Sequence, residues 1–167
     1  MIFDCRIELD CFYCLPPMTA QIPISKISLY DRDFQLWIET TVNQLRQEDF
    51  ASVDWTNLIE ELASMGKNNR HALKSLLIQL LAHLLKLIYW QTEREYNANQ
   101  WEAEIINFRV QIADLLEDSP SLKPYLLENF DSCYGKARQI VSKLSKQEIP
   151  IEVIITPAET LDENWFP

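Results

Sequence analysis

One run, Leu73 to Trp90, reading LKSLLIQLLAHLLKLIYW, constrains this chain more than any other stretch. Leu73, Leu76, Leu77, Leu80, Leu81, Leu84, Leu85, Leu87 and Ile88 cover most of a helical circumference. A helix that is apolar nearly all round is a buried one, and leucine favours helix over strand. The expected fold is therefore all-α: a compact helical bundle around this buried central helix. The few polar residues of the run are ordered. His71, Ser75, Gln79 and His83 step by four and Lys86 follows at three, which sets them on one face as a narrow stripe. A membrane span needs roughly 20 predominantly apolar residues. Lys74, His83 and Lys86 interrupt this run, so it reads as a soluble core helix.

The chain's 167 residues suit one domain with a core that needs no staples. Only 2 Gly are present, too few to supply the positive-φ turns of a hairpin-rich sheet protein. The formal net charge of −10 repels nucleic-acid backbones and anionic membrane surfaces, so neither is an expected partner. A protein is the expected kind of partner. Asp4, Arg6, Glu8 and Asp10 break up any secretory apolar segment, which makes a reducing cytoplasm the expected location. Cys11-x-x-Cys14 lacks the further ligands that a structural zinc site takes, and no metal or cofactor is expected.

Residues 1–27 have no helical period and contain Pro16-Pro17 and Pro23. They read as a tail or loose arm, with Met18 a candidate start, ahead of a single helical domain over 28–167. Ser28 and Asp31 mark a first helix from about Tyr30 to Gln47, with Phe34, Trp37, Ile38, Thr41 and Leu45 on one face. Phe50 is expected to plug the core. Asp54 caps a second helix whose buried face is Leu58, Ile59, Leu62 and Met65, and Gly66 is placed to end it. The central helix then returns antiparallel. Gln91 to Asn99 reads as a polar break, with Asn99 and Glu102 opening a helix of Trp101, Ile105, Phe108, Ile112 and Leu115. Ser119-Pro120 starts the next, along Leu126, Phe130, Cys133, Ala137, Ile140 and Leu144. Ile151 to Ile155 reads as a short extended segment. Thr156-Pro157-Ala158-Glu159 is a capping box for a last short helix to about Glu163, with Trp165 and Phe166 folded back on the body.

Several of these residues form an ordered series. Tyr30-Asp31-x-Asp33-Phe34-x-x-Trp37 comes first, then Leu45-Arg46, Phe50, Leu58-x-Glu60-Glu61 and Met65-Gly66. Leu80-Leu81-x-His83-Leu84-Leu85-Lys86 lies in the central helix. Trp101, Ile105, Arg109, Pro120-Ser121-Leu122, Tyr134, Ala137, Leu161 and Phe166-Pro167 follow. The series resembles the bacterial domain-of-unknown-function family twenty-nine, rich in cyanobacterial members, over nearly all of Tyr30 to Pro167. The resemblance implies a compact helical fold and a cytoplasmic bacterial protein. It implies no activity and no catalytic residues. Where members tend to carry Trp after the His-Leu-Leu-Lys run and then Gln-Pro, this chain has Leu87 and Gln91-Thr92.

The candidate site residues are Glu60, Glu61, His83, Lys86 and Arg109. Glu60 and Glu61 are adjacent carboxylates fit for acid–base work or ligation, but neighbours on a helix diverge by about 100°, so at most one faces a given site. His83 and Lys86 with one of the two are the candidate cluster. A turn at Gly66, however, sets Glu60 and Glu61 beside His71 and Ser75, which argues against one compact centre. Arg109 and Tyr134 are expected to pair inside the bundle. No Gly-rich phosphate loop or nucleophile elbow is present. The expected function is a non-catalytic acidic helical interaction module. The alternative is a small enzyme or ligand-binding bundle with a groove along the polar stripe.

Overall fold

The computed structural model describes residues 28–167, and the expected tail, with Cys5, Cys11, Cys14 and Met18, lies outside them. Six helices and no strand occur among the described residues. Contacts divide the chain into two compact units with their boundary between Val53 and Asp54.

In the first unit, α1 (Leu29–Arg32) and α2 (Phe34–Arg46) replace the single expected helix. Ser28 Oγ accepts from the Asp31 N–H and caps α1. Asp33 interrupts the helix because it is itself a cap, its carboxylate accepting from the Leu36 N–H at 3.0 Å. Tyr30, Phe34 and Trp37 pack as an aromatic cluster, with Tyr30 edge-on to both partners. Trp37, Thr41 and Val53 are the buried residues here. Phe50 is half exposed and plugs no core, and the chain leaves α2 through Glu48 at φ 58°.

The second unit is built on α3 (Trp55–Tyr89), a continuous helix of 35 residues. Asp54 caps it as expected, accepting from the Asn57 N–H. Gly66 does not end it. No Gly has positive φ, so the left-handed conformation of a helix-ending Gly is not adopted. The expected second and central helices are one element, and no hairpin joins them. Its two halves differ. Leu73, Leu77, Leu80, Leu81, Leu84, Leu85 and Leu87 are at most 1 % exposed, whereas the expected buried face of the first half is open, with Ile59, Leu62 and Met65 at 62, 60 and 61 %. By length and composition α3 could cross a membrane, a property that the buried core helix of a soluble protein shares.

Trp90 breaks the helix, and α4 (Gln91–Asp118) begins at once. The expected break at 91–99 is thus helical, and Asn99 lies inside α4 rather than capping it. Trp101, Ile105, Ile112 and Leu116 face the core, with Phe108 and Leu115 partly buried. α5 (Leu122–Ser145) follows a turn at Ser119–Ser121, and Lys146 at φ 56° ends it. Pro124 is tolerated in the first turn, where a backbone N–H has no helical partner to lose. Leu126, Phe130, Cys133 and Ala137 are buried as expected. Further on, Tyr134 and Val141 take the buried positions, and Ile140 and Leu144 stay exposed. α4 and α5 each pack along α3 and scarcely touch one another.

The C-terminal segment has no strand; Ile149 and Ile155 are buried in the core while Ile151, Val153 and Ile154 face outward. α6 (Pro157–Leu161) carries the expected capping box. The Thr156 N–H donates to Glu159 Oε2 at 2.8 Å, and the Glu159 N–H donates back to Thr156 Oγ1 at 3.2 Å. Trp165 and Phe166 pack against the core as the sequence predicts.

Candidate functional site

The polar stripe of α3 exists and is knitted together along one face. Gln79 Nε2 donates to Ser75 Oγ at 3.3 Å, and His83 Nδ1 lies 2.8 Å from the Gln79 carbonyl. A carbonyl only accepts, so Nδ1 carries a proton. The other ring nitrogen, Nε2, meets two groups. Lys86 Nζ is 3.0 Å away, and the Glu104 carboxylate of α4 is in direct contact. In the neutral ring Nε2 has a lone pair and accepts from Lys86. A second proton turns Nε2 toward Glu104 as a donor. Burial pushes the His83 pKa below its ordinary 6.5, which favours the neutral arrangement; Lys86 opposes the second proton and Glu104 favours it. Burial also lowers the Lys86 pKa.

α3 and α4 are antiparallel here: Lys86 sits over the Trp101 ring at 5.7 Å, and His83 packs on Phe108 at 5.4 Å. These aromatic covers dry the cluster, and the His83 side chain is 12 % exposed against 38 % for Glu104. The structure therefore joins His83 and Lys86 as expected but supplies Glu104 as the carboxylate. Glu60 and Glu61 lie on the same helix as His83, more than about 30 Å along its axis. They cannot join that cluster, and without a turn at Gly66 they do not fold back on His71 either. Glu104 was hidden because the helix carrying it starts well before Asn99, which sets the antiparallel register.

Arg109 is 3 % exposed, and its partners are main-chain carbonyls rather than Tyr134. Nε donates to Thr160 O at 2.9 Å, and one terminal nitrogen donates to Trp165 O at 2.8 Å and Glu159 O at 3.4 Å. The other terminal nitrogen reaches Glu163 O at 3.5 Å, and the Phe166 ring covers the group at 5.0 Å. A planar, five-donor guanidinium suits this cradle of acceptors at the end of α6. Tyr134 instead donates from its hydroxyl to Glu152 O at 3.1 Å. Both side chains tie the C-terminal segment to the bundle. Cys133 is a buried thiol whose pKa burial raises, which makes it a core residue rather than a nucleophile. No group of three or more His, Cys, Asp or Glu residues that could hold a metal ion occurs among the described residues.

The geometry defines a helical protein built on one shared core helix, with its polar residues used to fasten elements together. The family model for the domain of unknown function DUF29 matches residues 29–166, and the chain belongs to that family. No curated protein and no solved structure matches it.

Proposed function

We propose that this chain is a non-catalytic helical interaction module, acidic, bacterial and cytoplasmic, that docks a protein partner through the first half of α3. One observation carries the reading: Ile59, Leu62 and Met65 share a helix face and each is about three-fifths exposed. Scattered apolar residues on a surface need no explanation, but a contiguous helical stripe of them is the form that helix-mediated docking takes. The polar groups point the same way. His83 has both ring nitrogens engaged, and the Arg109 donors are spent on main-chain carbonyls. The charge of −10 favours a protein partner over nucleic acid. The cytoplasmic location is supported by the burial of the second half of α3, whose apolarity serves a core.

Site-specific photo-crosslinking tests the reading. A crosslinker at position 62 should give one discrete adduct in cells, and one at exposed Glu128 on α5 should give none. Equal yields from both positions, or none from 62, would remove this function. The alternative, a small enzyme or ligand-binding bundle, is favoured by the contact of His83 Nε2 with both a base and an acid. It requires an activity that His83→Ala abolishes in a variant that remains folded.

A further inference from the structure

We infer that the seam between α3 and α5 binds an acidic segment of a partner protein, one in which carboxylates alternate with apolar side chains. This surface is built on two helices and is separate from the stripe of Ile59, Leu62 and Met65.

The observation that carries it is a row of cations without counter-charge. From Leu62 to Thr92 the chain has no Asp or Glu, and from Ser132 to Gln147 it again has none, although its net charge is −10. The two stretches lie side by side because α5 packs along α3. Arg70 and Lys74 both sit over the Tyr125 ring, at 5.5 and 5.2 Å. Lys74 and Lys136 both favour the thiolate of Cys133, which brings the two ammonium groups to the same stretch of α5. Lys143 follows Lys136 by two turns on the same face. No carboxylate forms an ion pair with any of these four among the described residues. The Tyr125 ring attracts cations but neutralises none. Helical spacing points Glu128 outward, opposite buried Ala137, and turns Asp131 to the far flank of α5. Like charges one turn apart, as at Arg70 and Lys74, oppose a helix, and an anion between them removes that cost.

Two features define the occupant. Ile140 and Leu144 are each nearly half exposed and share the face of Lys136 and Lys143, so the ligand presents apolar groups as well as charge. From Tyr125 to Lys143 the row runs about 27 Å along α5 at 1.5 Å per residue, the span of about eight residues of extended chain. A single phosphate fills one position of such a row, whereas an acidic segment fills it throughout. A bilayer or a duplex is too large. Each extends past the screening length of about 8 Å and meets the acidic remainder of the surface, while a segment lying in the seam meets mainly the local cations.

Fluorescence anisotropy of a short dye-labelled peptide that alternates Glu with Leu, titrated with the full chain at low salt, tests this. The peptide should bind, and a version with Gln for Glu should bind about tenfold more weakly or less. Lys136→Glu with Lys143→Glu should also weaken binding by about tenfold or more, with an unchanged circular dichroism spectrum. Ile140→Ser should weaken it by about threefold. Lys123→Glu changes the net charge as much as Lys136→Glu but lies on the opposite side of α5 from Tyr125, and it should change binding by less than about twofold. No binding, equal binding of the Gln version, or equal losses at Lys123→Glu and Lys136→Glu would overturn the inference. So would tighter binding to vesicles of phosphatidylcholine and phosphatidylserine, or to duplex DNA, than to the peptide. The crosslink from position 62 reports on the other stripe alone, so either surface fails without the other.

Discussion

The two halves of α3 are one helix with two fates. From Leu73 onward, α4 and α5 cover it, and Leu73, Leu77, Leu80, Leu81, Leu84, Leu85 and Leu87 are sealed from water. Before Leu73 no residue of α3 is buried, although Leu58, Ile59, Leu62 and Met65 keep the same helical spacing. An apolar stripe thus states that a helix can bury a face, not that the helices packed along it will reach that far. The covering elements are finite: α5 begins level with Arg70 and Lys74, both of which lie over the Tyr125 ring.

The largest test of that contrast is a pair of truncations. Leu81→Ala should cost about 2–5 kcal/mol, because the side chain is fully sealed and leaves a cavity. Leu62→Ala should stay within about 0.5 kcal/mol. Equal shifts in the urea midpoint would dissolve the distinction between the halves.

A smaller effect is expected at the clasp that closes the covered half. Arg109→Ala strips the donors from the Thr160 and Trp165 carbonyls and should cost about 1–3 kcal/mol. Hydrogen exchange should quicken first in 157–161. Arg109→Lys should recover only part, since an ammonium cannot span the same acceptors. Unchanged exchange in α6 would mean that Ile149, Ile155 and the aromatic residues hold the segment unaided.

The smallest effect is electrostatic. The folded-state pKa of His83 lies below its ordinary 6.5 because burial disfavours the charged ring. Below 6.5 the unfolded chain therefore binds a proton that the native chain resists. The His83 contribution is whole above about 6.5 and is lost as pH falls toward the folded value. Lys86 and Glu104 face the ring with opposite charges, so the loss is modest. His83→Gln should flatten stability against pH in that window and leave it unchanged above. A slope that survives the substitution would assign it to another group.

Much of this was legible in the sequence. The all-helical class, the burial of Leu73 to Leu87, the Asp54 cap, the Thr156 capping box, the buried Cys133 and the return of Trp165 and Phe166 all follow from local chemistry or from period. The errors share a cause. Gln91 to Asn99 lacks an apolar stripe, but Gln, Glu, Arg and Ala form helix without one, because period reports burial rather than helicity. Gly66 resembles a helix end, yet a Gly interior penalty of about 1 kcal/mol is small against the continuous ladder around it.

The sequence by itself determined the all-helical class, where several helices are capped, and which leucines can form a core. Those properties depend on residues within a few positions of one another. Only the tertiary structure decided that Glu104 rather than Glu60 or Glu61 meets His83, that Arg109 serves carbonyls some fifty residues away, and that α4 and α5 seal only the second half of α3. Each of these depends on helix length and on the register between elements. A single misplaced helix boundary shifts that register by whole turns, and no local pattern in the chain records it.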